Sequence, residues 1–415
     1  MAAPERQVLS GLEVQRWAHG GDAVAVPSEG PLAGAIVFVP GAVPGDRVTV
    51  EIVKRKKRWA RARVVTIDTP SPERVDPPCP VQARCGGCPW MAGSAAAQSS
   101  SRLAILRGEA VKRLGWTEAE AAARVSLMEV EGAPRFGYRP RAKLGFRLEG
   151  GRVSLGFRGK ASHQLVPISR CAIAAQAVND ALPRVAEAIA AAGARRGDVT
   201  LVAGAEGVAG WVQPEAGAGF SIGPERVTVD FGERTLVATA RTFLQANPPV
   251  AAAMIATIAR WAREAGGGHA VELFAGSGAL TPALWDAGYD VDSYELDGAA
   301  RAGYEALRDG LGLAPERGRW SRADLLDLGI PSPPPRRPPT LILLDPPRAG
   351  ASELMPWVRE AGAATIVMMS CDVATGLRDL ALLAEGGAYR VDALTGWDMF
   401  PHTGHQEVLA RLTRV

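Results

Sequence analysis

The C-terminal part of the sequence alternates between apolar strand-like segments and helical segments, and this pattern constrains the fold most strongly. A helix is predicted over 251–265, and strands are predicted over 270–274, 290–294, 340–344, 365–369, 388–394 and 408–412. Helical stretches separate most of the strands. Because strands that alternate with helices build βαβ units, we predict a doubly wound, mainly parallel α/β sheet of the Rossmann-like type over residues 246–415.

The N-terminal part of the sequence has a different pattern, in which short strands alternate with turns. The strand-like segments are 24–26, 35–39, 48–53 and 62–65. Several short strands in so short a stretch suit a small OB-like β-barrel, which we place at residues 1–70. Residues 71–245 form a predicted central α+β domain with helices over 95–124 and 176–193. The 95–124 stretch is also a candidate to pack on the C-terminal domain.

The composition indicates a folded protein of several domains. The chain has 415 residues, 47% of them hydrophobic, and a net charge of +3. Any affinity for nucleic acid must therefore come from a local patch. The first residues lack an apolar signal segment, and no apolar run is long enough to span a bilayer. We expect a cytoplasmic monomer with no membrane partner.

A glycine-containing turn follows the first strand of the C-terminal part. Residues 272–278 read Glu-Leu-Phe-Ala-Gly-Ser-Gly, and Gly276 and Gly278 let the backbone approach a ligand. Glu295 ends the next strand, where an acidic side chain can bind ribose hydroxyls. Both features fit either NAD or S-adenosylmethionine. No third glycine follows at the spacing of the dinucleotide fingerprint, so S-adenosylmethionine is favoured.

An Asp-Pro-Pro-Arg turn, residues 345–348, follows the strand predicted over 340–344. Such a turn at a strand end is frequent in methyltransferases that act on nucleobases, and a simple proline-rich turn is the alternative. Amino-group methyltransferases usually have an aromatic residue after the second proline, where this chain has Arg348. Since a guanidinium can stabilise negative charge on a ring oxygen, Arg348 suits methylation of a ring carbon.

A cysteine and a glutamate supply the remaining groups for methylation of uracil at carbon 5. That carbon becomes nucleophilic once a thiolate has added to carbon 6, and a base must then remove its proton. Cys371 directly follows a predicted strand, at the same sheet edge as Asp345; a buried core cysteine is the alternative. Glu407 opens the last strand and is the candidate base, with a solvated surface glutamate as the alternative.

The C-terminal half of the sequence resembles the RNA uridine-5 methyltransferases. The matching segments are 243–247, 273–278, 345–350, 370–372 and 398–407. The resemblance implies that Cys371 is the nucleophile, that Glu407 is the base and that Arg348 is the pocket arginine. It also implies a cofactor and base pocket formed by Gln245, Phe274, Glu295, Asp324 and Asp345, to which the glycine turn adds Gly276 and Gly278.

Three residues depart from the pattern of this family. Ala279 stands where asparagine is common, which removes one expected contact with the cofactor. Ala275 replaces a frequent cysteine, and Asp372 follows the nucleophile where asparagine is common. None of these changes removes a catalytic group.

Four further cysteines form a candidate metal site: Cys79, Cys85, Cys88 and Cys171. By spacing alone, four thiolates suit a [4Fe-4S] cluster and tetrahedral zinc about equally. The resemblance extends here to the RlmD and RlmC type of the family, which favours the iron–sulfur cluster. We expect the cluster to be structural, because the cysteine signature of radical enzymes is absent.

A basic run at residues 54–63 is the candidate RNA-binding surface. It contains seven basic residues and no acidic one, and Trp59 is available to stack on a base. A solvated charged face is the simpler explanation, but residues 8–67 resemble a TRAM domain, an OB-like RNA-binding module. A second basic stretch at 135–143 is a candidate extension of this surface.

The sequence therefore predicts methylation of carbon 5 of a uridine in structured RNA, with 23S rRNA favoured. The target base must leave its stack to reach Cys371. A tRNA uridine-5 methyltransferase is the nearest alternative. A methyltransferase of exocyclic amino groups would retain activity without Cys371, and a non-catalytic RNA-binding protein would have no need of the intact Cys371, Glu407 and Asp345.

Overall fold

The computed structural model describes residues 7–160, 162–232 and 234–415. The chain forms two compact units. The first contains Met1–Ile105, Phe157–Ile168 and Phe400–His405, and the second contains Leu106–Gly156, Ser169–Met399 and Gln406–Val415. Within the described ranges, every helix is too short or too polar to cross a membrane. The domain boundaries at residues 70 and 245 stay predictions.

Strands and helices are numbered in chain order. The strands are β1 (Val8–Glu13), β2 (Arg16–Trp17), β3 (Ala23–Ala25), β4 (Ile36–Val39), β5 (Arg47–Arg55), β6 (Trp59–Thr69), β7 (Val125–Met128), β8 (Arg141–Glu149), β9 (Arg152–Arg158), β10 (Leu165–Pro167), β11 (Arg196–Gly204), β12 (Gly207–Pro214), β13 (Phe220–Ile222), β14 (Val227–Phe231), β15 (Arg234–Ala238), β16 (Gly268–Leu273), β17 (Tyr289–Glu295), β18 (Gly318–Arg322), β19 (Leu341–Leu344), β20 (Thr365–Ser370), β21 (Tyr389–Trp397) and β22 (Glu407–Arg414). The α-helices are α1 (Ala95–Leu114), α2 (Glu118–Arg124), α3 (Gln176–Ala191), α4 (Pro248–Glu264), α5 (Thr281–Asp286), α6 (Arg301–Gly310), α7 (Leu325–Leu328), α8 (Met355–Glu360) and α9 (Val373–Ala384).

The first unit contains a six-stranded sheet in the order β1-β5-β6-β4-β3-β2. The pairing is antiparallel except between β4 and β6, which run parallel. Alternate residues of β5, such as Val48 and Val50, are fully buried, and Trp17 stacks on Trp90 with 4.7 Å between the ring centroids. The short strands predicted from the sequence are confirmed, and β6 extends well beyond the predicted segment.

The predicted helical stretch over 95–124 is two helices. Gly115 has a φ of +68°, a left-handed conformation that ends α1. Thr117 then caps α2: its side chain accepts a hydrogen bond from the Glu120 backbone N–H, and the Glu120 carboxylate accepts one from the Thr117 backbone N–H. This reciprocal capping box explains why α2 begins where it does.

The main sheet of the second unit has eight strands in the order β18-β17-β16-β19-β20-β22-β21-β7. The five strands from β18 to β20 are parallel, whereas β22 is antiparallel to both of its neighbours. All four residues of β19 are buried aliphatic residues, as expected for a parallel strand covered on both faces. The mainly parallel α/β fold predicted for the C-terminal part is confirmed.

The antiparallel β22 decides which residues meet at the carboxyl edge of this sheet. Ser370, the last residue of β20, pairs with Val408 of β22. Since β22 runs in the opposite direction, its first residue, Glu407, lies at the edge where the parallel strands end. Asp345 directly follows β19 and Cys371 directly follows β20. One edge therefore collects side chains from widely separated parts of the sequence.

The second unit also contains a smaller antiparallel region. Strands β9, β8, β11, β12 and β13 are neighbours in one sheet, and β14 and β15 form a separate hairpin. Helix α3 packs against β11 and β12. The predicted helix over 176–193 is confirmed in α3.

Candidate functional site

The turn after β16 has the backbone shape that a ligand-binding loop requires. Phe274 has a φ of +62°, an uncommon value for a residue with a side chain, and Gly276 and Gly278 also lie in the left-handed region. A side chain at position 278 would meet the Tyr304 ring at 2.9 Å. Gly278 is thus required by backbone conformation and by packing, while the Gly276 backbone lines the cavities described below.

Glu295 braces this turn from the neighbouring strand. Its Oε2 accepts a hydrogen bond from the Gly276 backbone N–H at 3.0 Å, and its Oε1 accepts one from the Asp297 N–H at 2.8 Å. Because each carboxylate oxygen can accept more than one hydrogen bond, Glu295 still has acceptor capacity for ribose hydroxyls. Its position at the end of β17 is the one that the sequence predicts.

Glu272 is a functional candidate to which the sequence reasoning gave no role. Its side chain is buried in β16, and its Oε2 accepts hydrogen bonds from Thr281 Oγ1 at 2.6 Å and Ser293 Oγ at 2.8 Å. Its Oε1 has no hydrogen-bond partner within the described residues. Burial raises the pKa of Glu272 to about 7. An acidic residue inside an otherwise apolar strand was the signal that could have identified it.

A cavity of about 390 Å³ lies at the carboxyl end of β16 and β19. Four of the predicted cofactor residues line it: Gln245, Phe274, Gly276 and Asp345. Glu272 lines it as well. Its volume falls in the range of small-molecule sites, which is roughly 300–1,000 Å³.

A second cavity, of about 410 Å³, shares part of its wall with the first. Glu295 lines this second cavity, and Phe243 and Gly276 line both. Gly278 and Asp324 line neither of these two cavities. Asp324 instead caps α7, where its side chain accepts a hydrogen bond from the Asp327 backbone N–H at 3.1 Å. The predicted cofactor role of Asp324 stays a prediction.

Asp345 lies where the carboxylates of the edge converge. Burial raises the pKa of Asp345 to about 7, and the negative charges of Glu272 and Glu295 contribute to the increase. Three acidic groups thus face a common region at the ends of β16, β17 and β19. Such a cluster favours a ligand that carries positive charge, because an opposite charge stabilises the ionised carboxylates.

Cys371 is partly buried at the end of β20. Burial raises the pKa of the Cys371 thiol, and with the negative charges of Glu407 and Asp345 the pKa reaches about 11. The Arg348 guanidinium opposes this increase through its charge and a hydrogen bond to the thiol. Arg348 is therefore close enough to Cys371 to stabilise the thiolate.

Glu407 is almost fully buried at the start of β22, with 2% of its surface exposed. Its Oε2 has no hydrogen-bond partner in the described part of the chain. Burial raises the pKa of Glu407 well above its ordinary value, the negative charge of Asp345 adds to this, and Arg348 opposes it. The structure thus brings the predicted nucleophile, base and arginine together around Asp345.

The other four cysteines form no disulfide bonds within the described residues. Cys79, Cys85 and Cys88 belong to the first unit, and Cys171 belongs to the second. Burial raises the pKa of Cys85, and the neighbouring Cys79 thiol contributes to the increase. In residues 7–160, 162–232 and 234–415, no group of three or more His, Cys, Asp or Glu side chains is arranged to hold a metal ion.

Residues 54–58 of the predicted RNA-binding run are exposed, in the first unit. The Lys54 ammonium lies 5.7 Å from the centre of the Trp59 ring. Two other basic residues of the run form ion pairs: Arg61 with Asp22 at 2.7 Å, and Arg63 with Glu51. The free positive charge is therefore concentrated in the loop that joins β5 and β6.

Two arginines of the second basic stretch, residues 135–143, form contacts inside the second unit. Arg135 forms an ion pair with Asp398 at 2.8 Å, and Arg139 Nε donates a hydrogen bond to the Arg141 carbonyl oxygen at 3.0 Å. Burial and the charge of Arg139 lower the pKa of Arg141. Its predicted contact with RNA stays a prediction.

Comparison with known proteins gives two kinds of relative, although no protein-family model matches the chain. The 23S rRNA (uracil(1939)-C(5))-methyltransferase RlmD of Shewanella baltica is 31% identical over 418 residues, which cover 91% of this chain and 90% of that protein. RlmD of Chromohalobacter salexigens is 31% identical over 444 residues, which cover 97% and 89%.

One solved structure shares the fold over nearly the whole chain. It is the tRNA (uracil-54, C5)-methyltransferase of Pyrococcus abyssi in complex with S-adenosyl-L-homocysteine. The TM-score is 0.72 at 21% identity, and the match covers 97% of this chain and 99% of that structure. At this identity the likeness establishes an α/β methyltransferase fold.

Proposed function

Because the chain belongs to the RlmD family of RNA (uracil-C5)-methyltransferases, we propose that it methylates carbon 5 of a uridine in 23S rRNA through a covalent Cys371 adduct. As a member of this family it is an S-adenosylmethionine-dependent enzyme. The observation that carries the proposed mechanism is the convergence of Cys371, Arg348 and Glu407 at one sheet edge beside Asp345.

Cys371 begins the proposed reaction by adding to carbon 6 of the flipped uracil. The free site disfavours the thiolate even though Arg348 is present, so the positive charge of the bound cofactor must lower the pKa of the thiol further. Addition forms the sulfur–carbon bond and places negative charge on the oxygen at ring position 4. The Arg348 guanidinium stabilises that charge.

The bound sulfonium cofactor would supply the methyl group: carbon 5 of the enolate would form the new bond as the sulfur–methyl bond breaks, and the cofactor would leave as a neutral thioether. Glu407 removes the proton from carbon 5, and the electrons of that bond expel the Cys371 thiolate from carbon 6. A buried carboxylate without a hydrogen-bond donor is a stronger base than a solvated one, because burial destabilises its ionised form. The methylated uridine leaves and the thiolate is restored.

RNA that contains 5-fluorouridine tests this mechanism, because fluorine at carbon 5 cannot be removed as a proton. We expect the protein and S-adenosylmethionine to form a denaturation-resistant complex with such RNA. We expect Cys371→Ala to abolish the complex and to leave the fold of the protein intact, because the residue is only partly buried. Methylation that survives Cys371→Ala would instead indicate an exocyclic-amino methyltransferase, and absence of methylation would favour a non-catalytic RNA-binding protein.

The identity of the RNA is tested by mapping 5-methyluridine in cells with and without the gene. We expect one 23S rRNA position to lose its methyl group when the gene is removed. Loss of 5-methyluridine from tRNA alone would support the tRNA alternative. The names of the two relatives favour rRNA, and the shared fold of the archaeal enzyme is compatible with either substrate.

We also propose that Cys79, Cys85, Cys88 and Cys171 hold a structural [4Fe-4S] cluster. The support is their number and chemistry, since four cysteines outside disulfide bonds match the ligands of such a cluster. Lys160 lies near Cys85 and Cys88, where its charge would offset that of the thiolates.

Anaerobic purification followed by iron, sulfide and visible-absorbance measurements tests the cluster. We expect about four iron and four sulfide ions per chain, as the [4Fe-4S] formula requires. A colourless protein with stoichiometric zinc would overturn the assignment. Cys371→Ala is the matched control, because it removes a thiol and leaves the four proposed ligands intact.

The first unit is proposed as a TRAM-type RNA-binding module, in a cytoplasmic protein that acts as a monomer. The exposed basic residues 54–58 and the partly exposed Trp59 support RNA binding. Replacement of Lys56 and Lys57 by glutamate should weaken RNA binding and reduce its dependence on salt, since each lost phosphate contact lowers the salt slope. Unchanged binding would exclude this surface.

A further inference from the structure

Arg348 is presented to Cys371 by a tight turn. The Gly350 backbone N–H donates a hydrogen bond to the Pro347 carbonyl oxygen at 2.7 Å, so Arg348 occupies the second position of the turn 347–350. Gly350 has a φ of +76°. A side chain at position 350 would overlap the Arg378 guanidinium and lie 2.5 Å from Asp379 Oδ2. The turn is thus packed closely against α9.

Three side chains of α9 bind the backbone of this turn. Thr375 Oγ1 donates a hydrogen bond to the Arg348 carbonyl oxygen at 2.9 Å. Arg378 Nη2 donates to the Ala349 carbonyl oxygen at 3.0 Å, and Asp379 Oδ2 accepts from the Ala351 N–H at 2.7 Å. Helix α9 therefore binds the backbone of Arg348 and Ala349 before Gly350 and of Ala351 after it.

The same helix also fixes the nucleophile. Helix α9 begins at Val373, and Asp372 caps it by accepting hydrogen bonds from the Ala374 and Thr375 backbone N–H groups at 3.1 and 3.0 Å. Cys371 immediately precedes this cap. Thr375 therefore contributes its backbone to the segment that carries the thiol and its hydroxyl to the turn that carries the guanidinium.

We propose that Thr375, together with Arg378 and Asp379, is a positioning residue that holds Arg348 against the Cys371 thiol. This inference rests on the proposed function only in the roles it gives to Cys371 and Arg348. The aliphatic stem of the arginine is long, so a fixed backbone is needed to restrict where its guanidinium lies.

The charges around Cys371 explain why this position matters. Glu407 and Asp345 face the thiol and disfavour its ionisation, whereas Arg348 favours it. Asp372, the next residue, directs Oδ1 toward the N–H groups of α9. A displaced Arg348 leaves the two carboxyl groups unopposed, so the thiol ionises at a higher pH.

Alkylation of Cys371 by iodoacetamide as a function of pH tests this positioning role. The experiment uses the full chain, without RNA or cofactor. Mass spectrometry of the peptide that contains Cys371 distinguishes it from the other cysteines. Thr375→Val removes the hydroxyl at nearly constant volume, and Thr375→Ser keeps it. Thr257→Val is the matched control, because Thr257 is also partly buried and its hydroxyl binds the Ala253 carbonyl oxygen at 3.0 Å, on α4.

We expect Thr375→Val to slow alkylation of Cys371 at fixed pH, by up to about tenfold for each unit by which the thiol pKa rises. Thr375→Ser should restore the wild-type curve, and Thr257→Val should not move it. An unchanged curve for Thr375→Val, or an equal shift for Thr257→Val, would overturn the inference. If Thr375→Val shifts the alkylation curve but the wild-type protein forms no 5-fluorouridine adduct, the positioning role is supported and the covalent mechanism is refuted.

Discussion

Two strands of the main sheet, β16 and β22, each place a buried glutamate near Asp345, but in different surroundings. In β16, Glu272 Oε2 accepts hydrogen bonds from two hydroxyl groups, those of Thr281 and Ser293. At the start of β22, Glu407 Oε2 has no donor among the described residues. Burial raises the pKa of both carboxyl groups, to about 7 for Glu272 and well above the ordinary value for Glu407.

This difference separates a binding carboxylate from a reacting one. Hydroxyl donors stabilise the ionised form of Glu272 and hold it in one orientation, as a cation-binding group requires. Glu407 Oε2 has no such donor among the described residues, and burial favours the protonated form of Glu407 by raising its pKa. The two glutamates should therefore respond differently to removal of the carboxylate: loss of cofactor binding is expected for Glu272 and loss of turnover for Glu407.

Glu407→Gln should have the largest effect. Removal of a general base costs about 10²–10⁴-fold in rate, because the carbon 5 proton then has no acceptor. Methyl transfer still precedes that step, so a covalent complex with ordinary uridine RNA should accumulate and carry a labelled methyl group. Glu305→Gln, a surface change on α6, is the control. Full turnover by Glu407→Gln would remove this residue from the mechanism.

Asp345→Asn should have two effects of opposite sign: weaker cofactor binding and easier ionisation of Cys371. Removal of the charge weakens binding of the cationic cofactor by about 30-fold, equivalent to about 2 kcal/mol. It also lowers the pKa values of Cys371 and Glu407, because Asp345 raises both. Cofactor titration should therefore show weaker binding while alkylation of Cys371 becomes faster at fixed pH. Changes of the same sign in both measurements would contradict this assignment.

Glu272→Gln should have a smaller effect that depends on pH. The pKa of Glu272 is raised to about 7, so its negative charge is lost as the pH falls below that value, and binding of the cationic cofactor weakens. The variant should bind about fivefold more weakly at pH 8, a loss of about 1 kcal/mol. The remaining pH dependence should shift to lower pH, because Glu272 raises the pKa of Asp345. An unchanged midpoint would show that the two carboxyl groups are uncoupled.

Ala279→Asn should have the smallest effect. It restores the asparagine that is common in the family, beside the first cavity. One added hydrogen bond to the cofactor would strengthen binding by about threefold, or about 0.7 kcal/mol. Ala279→Leu is the control for a change of volume alone. Equal or weaker cofactor binding by the asparagine variant would show that this contact is not available in the present turn.

Much of the sheet edge could be predicted because strand ends are visible in the sequence. Asp345 and Cys371 each follow an apolar run, and parallel strands end at a common edge, so their proximity follows from the order of the elements. Glu272 escaped this reasoning because it lies inside its strand. The cofactor role of Asp324 rests on the resemblance alone and stays a prediction; in the structure its side chain caps α7.

The sequence by itself determined the alternation of strands and helices, the glycine turn and the identity of the chemical groups, because these depend on local periodicity and residue type. Only the tertiary structure decided that β22 runs antiparallel beside β20, which brings Glu407 to the edge that carries Cys371. It also decided that Thr375 bonds the Arg348 turn. Such contacts join residues far apart along the chain, and their geometry depends on the packing of the whole unit.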